Sequence, residues 1–443
     1  MVRYSVAVLS LGVLLLGVTA GNAADPAPPK GFKAIFNGKD LSGWHGWAIH
    51  EKGGGPLELS KLSADEQHAK IAKWTEDAKK HWSVKNGELV NDGNGAYLAT
   101  DEELGDVEFW IDYKTVPKAD SGIYLKTAPQ VQIWDYTDKS KFNIGADKGS
   151  GGLWNNSAGA PGKDPLVLAD KPFGEWNSFR ILQIGEMTTV YLNDKLVVDH
   201  ARLENYWNKK LPLAQKASVL LQTHGNEISW RNIYVRPIPA TEANAILARK
   251  AGAGFKSVFD GSTLEGWAGA VNDYEVKDGS IVCKPKKGGN LYTKEIYSDF
   301  TAQVEYKLPP GGNNGLAIRY PGNGDPSITG MCEVQILDDT AKQYDKLDPR
   351  QSNGSVYGAI PAARGYLRPT GEWNFMQVTV KGPKIMVELN GTRITDGDIS
   401  QVKSFMRDPK TPHVGKDATE GHFGFCGHDD QVEFRAVKIK SLK

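Results

Sequence analysis

The sequence predicts an all-β protein built from two tandem antiparallel β-sandwiches of jelly-roll type. The chain repeats itself, and its repeated blocks are short, alternate apolar with polar residues and contain no helix-length apolar stripe. Asn-Gly and Asp-Gly dipeptides beside alternating stretches, as in KNGELV and KDGSIV, are strong hairpin signals. A domain with this pattern is expected to pack two sheets face to face.

The internal repeat is read from blocks that recur in the same order. Residues 31–44, GFKAIFNGKDLSGW, return at 254–267 as GFKSVFDGSTLEGW, and Gly-Glu-Trp-Asn occurs in both halves. Similar blocks in one order indicate a duplicated domain rather than chance similarity.

The repeat divides the chain into two domains and a connection. We assign residues 31–238 to a first sandwich, copy one, and residues 254–443 to a second, copy two. Residues 239–253, PATEANAILARKAGA, are interpreted as a short linker with some helical character. Each copy has a length that is usual for one β-sandwich domain.

The N-terminus has the three parts of a secretory signal peptide. Arg3 precedes an apolar run over 6–18, and small residues lead to Ala24. The run is shorter than the roughly 20 residues that a membrane span needs. We therefore predict a signal peptide at 1–24, cleavage near Ala24, and a secreted or periplasmic protein without a transmembrane segment.

Copy one carries an insertion, between Trp47 and Trp82, that copy two lacks. Ser63 and Glu66 form a capping-box signature for a helix start. The residues on one apolar stripe of this helix are Ile71, Trp74 and Ala78. The pattern predicts an amphipathic helix packed on the sandwich.

The composition excludes some partners. Lys and Arg together number 53, as do Asp and Glu, so the net charge is zero. Nucleic acids and anionic membranes select basic surfaces, which this balance argues against. Only Cys283, Cys332 and Cys426 occur, so at least one thiol is free and no disulfide scaffold is expected. The oligomeric state is not addressed by the sequence.

One strand in each copy has an unusual polar face. In PQVQIWD, at 129–135, glutamines alternate with Val131 and Ile133, and copy two reads CEVQILD at the matching place. The residues singled out here are Gln130, Gln132, Trp134 and Asp135 in copy one, and Glu333, Gln335 and Asp338 in copy two. The polar face is kept in both copies, which favours a sugar-facing strand over an ordinary wet surface.

Two further polar sets accompany this strand. Asp120 begins DSGIYLK, which ends at Lys126, and the matching NNGLAIR ends at Arg319. Such a cation either makes a surface salt bridge, worth ~0–1 kcal/mol, or polarises a substrate carbonyl. His224 and His428 each precede an Arg-bearing strand, and His suits proton transfer near neutral pH, although a turn His is often structural.

The remaining candidates lie in loops. GSGGLWNN ends in Asn155 and Asn156, two amides suited to gripping sugar hydroxyls. The chain has no P-loop, Rossmann fingerprint, His-Glu-x-x-His or nucleophile elbow. No cofactor is implied with certainty, and the acidic pair Asp338-Asp339 leaves open a divalent metal such as Ca²⁺.

Together these blocks resemble the 3-keto-disaccharide hydrolase family, of the concanavalin A-like lectin/glucanase superfamily. The resemblance rests on F-x-G-x-x-L-x-G-W, D/N-S/N-G-I/L-x-x-K/R, E/Q-V-Q-I-x-D, G-E-W-N, L-N-D/G and H-x4-W/F-R, once per copy. Copy two adds the Gly-x-x-Tyr-Gly segment of one subgroup, which contains Tyr357. It departs from the commoner L-Q-x-H-G ending, since it reads Phe-Cys-Gly-His-Asp at 425–429.

The resemblance implies an exported enzyme that cleaves glycosides oxidised at C3. The ketone acidifies the C2 proton, so a base removes it, the C1 leaving group departs and water adds to the enone. The implied bases are Asp135 or His224 in copy one, and Glu333 or His428 in copy two. The implied substrate-binding residues are Asp120, Lys126, Gln130, Gln132, Trp134, Asn155, Asn156, Arg319, Gln335, Asp338 and Tyr357.

Two alternatives remain at this point. The first is a tandem carbohydrate-binding protein without catalysis, or one catalytic copy beside a binding copy, because a fold does not determine a function. The second is an ordinary retaining glycosidase, which needs two carboxylates about 5–5.5 Å apart, a pair that the PQVQIWD strand does not supply.

Overall fold

The computed structural model describes residues 27–442 and consists of two β-sandwiches in tandem. The predicted signal peptide at 1–24 lies outside the described residues. Within residues 27–442, no helix combines the length and the apolar character that a bilayer crossing requires.

The elements follow one another in the same general order in both copies. Copy one contains β1 (Lys33–Ala34), β2 (Trp44–Trp47), α1 (Pro56–Leu59), α2 (Ala64–His81), β3 (Trp82–Lys85), β4 (Glu88–Asn91), β5 (Tyr97–Thr100), β6 (Val107–Thr115), β7 (Asp120–Leu125), β8 (Ala128–Trp134), β9 (Asn177–Ile184), β10 (Met187–Leu192), β11 (Lys195–Arg202), β12 (Leu220–Leu221) and β13 (Ile228–Pro237), followed by α3 (Ala240–Lys250). Copy two contains β14 (Lys256–Ser257), β15 (Trp267–Gly269), β16 (Tyr274–Lys277), β17 (Ser280–Cys283), β18 (Asn290–Tyr297), β19 (Phe300–Lys307), β20 (Asn313–Tyr320), α4 (Pro326–Thr329), β21 (Cys332–Leu337), β22 (Trp373–Lys381), β23 (Lys384–Leu389), β24 (Thr392–Asp398), β25 (Gly421–Cys426) and β26 (Glu433–Ser441). Short 3₁₀ helices lie at Lys139–Ile144, Ala146–Lys148, Val271–Asp273, Lys342–Tyr344, Pro349–Gln351 and Ile399–Gln401.

Each copy packs a large antiparallel sheet against a small one. In copy one the large sheet runs β11-β10-β9-β6-β13-β4-β3, with β1 beside β13, and the small sheet runs β2-β5-β12-β7-β8. In copy two the orders are β24-β23-β22-β19-β26-β17-β16, with β14 beside β26, and β15-β18-β25-β20-β21. Strand by strand the two topologies coincide, so the predicted duplication of an all-β sandwich is confirmed.

The predicted hairpins form with the turn chemistry that the dipeptides require. Asn86 and Gly87 join β3 to β4 with φ of 53° and 82°, and Asp278 and Gly279 join β16 to β17 with φ of 48° and 73°. Two consecutive positive φ angles are those of a type I′ turn, whose twist matches the flanking strands.

Two of the repeated motifs meet on the large sheet. The guanidinium of Arg231 lies 4.0 Å from the ring centroid of Trp176, the Trp of the first Gly-Glu-Trp-Asn. Arg435 lies 3.9 Å from the ring of Trp373 in copy two. Each stacked pair joins the strand at the end of its copy to a central strand, which explains why both motifs were kept together.

The insertion of copy one folds as predicted. α2 begins with a complete capping box between Ser63 and Glu66. Trp74 and Ala78 are buried in the core cluster of copy one, and Ile71 packs against it. A Cβ on Gly46 would lie 2.1 Å from the carbonyl oxygen of Trp74, so glycine in β2 lets the helix approach the small sheet closely.

The linker is a helix that packs between the copies rather than a loose connection. Ala243 and Leu247 of α3 form a small apolar cluster with Ile184 of copy one and Phe375 of copy two. Arg202 of copy one pairs with Glu186 of its own copy and with Glu388 of copy two. The two sandwiches are therefore held by both apolar and charged contacts.

Candidate active site

The candidate site of each copy lies on the face of the small sheet that points away from the core. In copy one, Asp120 on β7 is the register partner of Trp134 on β8, and Gly122 is the partner of Gln132. Because side chains alternate along a strand, these residues share one face, while Ile123 faces the core. The two predicted polar motifs are therefore neighbours in space.

A chain of side-chain hydrogen bonds crosses this face in copy one. The amide of Gln130 donates to Oε1 of Gln132, and Nε2 of Gln132 donates to Oδ1 of Asp120 at 2.9 Å. Gln132 also donates to the backbone carbonyls of Ser121 and Ile133. With only 1% of Gln132 exposed, its amide is committed to holding Asp120 in place.

The carboxylate of Asp120 meets two further groups. Nζ of Lys141 donates to Oδ2 at 2.8 Å, and Nδ1 of His224 lies 3.3 Å from the same oxygen. The carboxylate raises the pKa of His224, although partial burial opposes this. Burial raises the pKa of Asp120, but contacts with His224 and Lys141 outweigh it and leave that pKa lowered. The side chain of His224 is 58% exposed, so its Nε2 is open to a ligand.

Aromatic rings extend this cluster. Nε2 of His50 lies 2.8 Å from the hydroxyl of Tyr124, and the ring of Tyr97 is 5.5 Å from that of Tyr124. The rings of Tyr206 and Trp207 lie 6.1 and 5.3 Å from His50. Burial lowers the pKa of His50, and the neighbouring His224 lowers it further.

Trp134 at the end of β8 and the predicted loop residues Asn155 and Asn156 have different surroundings. Trp134 is buried edge-on against Trp154, with ring centroids 5.8 Å apart. The amide of Asn156 donates to the carbonyl of Arg202 and accepts from the backbone of Glu204, so it joins two loops. Asn155 is different, because its buried Oδ1 finds no hydrogen-bond partner within residues 27–442. We therefore retain Asn155 as a ligand-gripping candidate.

Copy two encloses a cavity of about 280 Å³ at the equivalent place. Its lining includes Glu333, Gln335, His428, Arg407 and Tyr357. Nε2 of Gln335 donates to Oδ1 of Asn313 at 2.7 Å, which repeats the Gln132–Asp120 contact with an amide in place of the carboxylate. The volume is near the lower end of ligand pockets.

Glu333 is the unusual residue of this cavity. It is buried, and its Oε1 has no hydrogen-bond partner among the described residues. Burial raises the pKa of Glu333 to about 8, and nearby Asp325 adds to the shift. Glu333 therefore holds its proton near neutral pH, which suits an acid or a donor better than the predicted base.

The other cavity residues are largely paired. Arg407 donates to Oδ2 of Asp325 at 2.7 Å and lies over the ring of Tyr357 at 5.5 Å. Gln351 donates to the hydroxyl of Tyr357 at 3.3 Å. Partial burial lowers the pKa of His428, although the carboxylates of Asp325, Asp429 and Asp430 oppose this shift.

The structure corrects the predicted roles of Lys126 and Arg319. Lys126 is buried and donates to the carbonyl of Gly185 at 2.9 Å, and Arg319 donates to the carbonyl of Gly382 at 3.0 Å. Both glycines occupy equivalent turns, β9–β10 and β22–β23. Lys126 and Arg319 thus each stabilise a turn of the large sheet, and neither side chain reaches the polar face of the small sheet.

Asp135 and Asp338 are also corrected. Asp135 accepts from the backbone of Lys118 and from the backbone and hydroxyl of Thr137. Burial raises the pKa of Asp135, but these hydrogen bonds outweigh it and leave the pKa lowered. Asp338 accepts equivalent bonds from Gly311 and Thr340. Both carboxylates are committed to turns, so neither is retained as a base or a sugar ligand.

The donor set at the acidic pair Asp338-Asp339 can be compared with what a divalent metal needs. Asp338 is engaged in its turn, while Asp339 accepts from the backbone of Asn353 and faces Arg364. Across residues 27–442, no group of three or more His, Cys, Asp or Glu side chains converges as a metal site. The residues do not fit Ca²⁺ here. All three cysteines are buried free thiols.

Sequence reasoning missed several residues of the site. The missed residues are His50, Tyr97, Tyr124, Lys141, Tyr206 and Arg407. Tyr124 could have been found, because it lies four residues after Asp120 on one strand and so shares its face. His50 and Arg407 lie in segments without a counterpart motif, and only the fold brings them to the sheet.

Comparison with known proteins agrees with this architecture. The model of the 3-keto-alpha-glucoside-1,2-lyase-like domain matches residues 31–236 and again 254–440. A 3-keto-disaccharide hydrolase of Bacteroides thetaiotaomicron is 26% identical over 249 residues, which cover 47% of this chain and 86% of that protein.

Solved structures provide two further similarities. A candidate glycosyl hydrolase of Parabacteroides distasonis shows 26% identity and a TM-score of 0.38, covering 43% of this chain and 94% of that one. The carbohydrate-binding module CBM66 of Bacillus subtilis shows 13% identity and a TM-score of 0.27, covering 40% and 96%.

Proposed function

Because this chain belongs to the family of 3-keto-alpha-glucoside-1,2-lyase-like domains, with one domain in each copy, we propose that it cleaves 3-keto-glucosides and 3-keto-disaccharides. The observation that carries the proposal is the contact between His224 and Asp120 on the outer face of copy one. The predicted signal peptide makes export part of the same proposal.

The contact supplies the base that the chemistry needs. Asp120 holds Nδ1 of His224, so Nε2 is left to remove the C2 proton of a bound 3-keto-sugar. The negative charge then develops on the ketone oxygen, and the ammonium of Lys141, which contacts Asp120, is our candidate to stabilise it. Lys141 takes this role in place of Lys126, and Gln132 acts by holding Asp120.

Loss of the C1 substituent and addition of water complete the reaction. The C1–O bond breaks as the enolate reforms the carbonyl, which leaves an enone conjugated to C3. Water adds at C1, and His224 returns its proton to C2. The partly exposed ring of Trp154, which packs edge-on against the buried Trp134, offers a neighbouring apolar surface for a sugar.

A second function, sugar binding without turnover, is favoured for copy two. Asn313 replaces Asp120, and burial leaves the pKa of His428 lowered despite three nearby aspartates, whereas Asp120 raises the pKa of His224. Glu333 keeps its proton near neutral pH and offers a donor to a sugar hydroxyl. We therefore assign the proton-removing site to copy one and a binding site to the cavity of copy two.

Paired histidine variants test this division. In the full chain, His224→Ala is expected to lower the release of 3-keto-glucose from a 3-keto-glucoside by about 10²–10⁴-fold, the usual loss for an acid–base group. His428→Ala is the matched control and is expected to retain most of the activity. Equal losses would refute the division. A wild-type protein that binds the sugar without turnover would instead support the tandem binding protein.

A further inference from the structure

A second pair of proton-carrying groups lies beside the His224–Asp120 contact. Nε2 of His50 is 2.8 Å from the hydroxyl of Tyr124. Tyr124 stands on β7, four residues after Asp120, and is only 2% exposed. The mechanism above assigns no role to this pair.

The pair is a property of copy one alone. β20 carries Ala317 where β7 carries Tyr124, since Asn313 matches Asp120. His50 comes from the insertion that copy two lacks, and Tyr97 is matched by Asn290. Three of the differences between the copies therefore fall on one patch of the outer face.

The patch is closed by aromatic rings on several sides. Tyr97, Tyr206 and Trp207 surround His50, with ring centroids 5.3–6.1 Å from it. The hydroxyl of Tyr97 accepts from Nε2 of Gln222 at 3.2 Å and also interacts with the hydroxyl of Tyr124. An apolar surround of this kind strengthens a hydrogen bond within it.

We propose, on the basis of the function proposed above, that Tyr124 donates the proton that the departing C1 oxygen takes up, and that His50 is the positioning residue for Tyr124. Transfer of the proton as the C1–O bond breaks lets the leaving group depart as a neutral alcohol instead of an alkoxide. His50 donates from Nε2 to the phenolic oxygen, which directs the tyrosine proton towards the ligand.

The proton balance closes over one turnover. In the elimination, the C2 proton goes to His224 and the Tyr124 proton goes with the leaving oxygen, which departs as an alcohol. In the hydration, the oxygen of water bonds to C1, one water proton restores Tyr124, and His224 returns its proton to C2. No oxidant, reductant or further reactant is required.

The electrostatic setting agrees with these roles. Burial and the nearby His224 lower the pKa of His50, so His50 is neutral near pH 7 and has one N–H to donate. Burial raises the pKa of Tyr124, so the phenol carries its proton before each turnover.

The test compares two leaving groups. For Tyr124→Phe, kcat/KM for the 3-keto derivative of methyl glucoside is expected to fall about 100-fold or more, because methoxide must be protonated to leave. For the 3-keto derivative of 4-nitrophenyl glucoside the expected loss is under about 3-fold, since nitrophenolate leaves without a proton. His50→Ala should also slow the methyl substrate more than the 4-nitrophenyl substrate, with a smaller loss of kcat/KM than Tyr124→Phe. His50→Gln should retain part of the kcat/KM that His50→Ala loses.

Tyr191→Phe is the control, because it removes a phenol hydroxyl from β10 of the large sheet, where the ring lies beside Arg180. It is expected to affect both substrates equally and weakly. If Tyr124→Phe slows both substrates alike, or neither, the proton-donor role is refuted. If the wild type turns over neither substrate, the proposed function itself fails, which is a separate outcome.

Discussion

The two copies carry the same sandwich but place their carboxylate differently. In copy one the carboxylate is Asp120 on β7 and the amide is Gln130 on β8, whereas in copy two the amide is Asn313 and the carboxylate is Glu333. Asp120 is paired with a lysine and a histidine, while Oε1 of the buried Glu333 finds no hydrogen-bond partner among residues 27–442. The carboxylate and the amide have thus exchanged strands between the copies. The acid of copy one, Asp120, is ionised and paired, whereas the acid of copy two, Glu333, is protonated.

The comparison shows that two copies of one fold can carry different chemical groups at the equivalent site. Backbone register and the conserved glutamine are the same in both sites, since Gln132 and Gln335 make equivalent contacts. The segments that cover the sheet differ, because copy one contributes His50 and copy two contributes Arg407. Three pairs of substitutions, each made at equivalent positions of the two copies, test how the exchanged side chains change stability and activity.

The largest effect is expected for Glu333→Gln, which gives copy two the residue type of copy one. The pKa of Glu333 is raised to about 8 from an ordinary 4.5, so the folded state keeps a proton that the unfolded state loses between these values. Stability of the wild type therefore falls as pH rises through this window. The variant should lack that slope and gain up to about 5 kcal/mol relative to the wild type between pH 4.5 and 8.

Urea unfolding at several pH values measures this change. Gln130→Glu in copy one is the reciprocal variant and should introduce such a slope. Parallel pH profiles for wild type and Glu333→Gln would show that Glu333 is ionised in the folded protein.

The next effect concerns the carboxylate beside His224. Asp120→Asn is expected to lower kcat/KM for a 3-keto-glucoside by about 100-fold, because the imidazolium loses its partner. The raised pKa of His224 should fall, so the acidic limb of the pH–rate profile moves to lower pH. Asn313→Asp, the reciprocal change in copy two, should leave that profile in place. If the acidic limb does not move in Asp120→Asn, it reports the titration of a group other than His224.

The smallest effect is expected at Gly315 and Gly122, the strand glycines that pack against the side chains of Glu333 and Gln130. A Cβ on Gly315 would lie 1.9 Å from Oε1 of Glu333, whereas a Cβ on Gly122 would lie 2.9 Å from the side chain of Gln130. Gly315→Ala is expected to cost roughly 1–3 kcal/mol of folding stability, and Gly122→Ala less. Repeating Gly315→Ala in a Glu333→Ala background should remove most of the cost, and a cost that persists would place the strain in the backbone.

The repeat, the type I′ hairpins and the inserted helix were all predictable, because each depends on residues close in sequence. Asn86-Gly87 requires a left-handed turn, and Ser63 with Glu66 caps a helix wherever it packs. The polar face was also predictable, since Gln130 and Gln132 alternate with core residues. These are local rules that tertiary contacts did not override.

The roles within the site depended on contacts between distant segments. Lys126 and Asp135 had the right residue types, but Lys126 bonds to Gly185 and Asp135 caps its own turn. A sequence pattern states which face a side chain occupies, and it does not state which partner satisfies it.

By itself the sequence determined the duplicated all-β fold, the strand that bears the polar face and the position of His224. Only the tertiary structure decided that His224 meets Asp120 from a turn 104 residues away, and that His50 meets Tyr124 across 74 residues. The physical reason is that hydrogen bonding and burial act over a few ångströms. Their partners are therefore selected by how the sheet and its covering loops pack, and not by spacing along the chain.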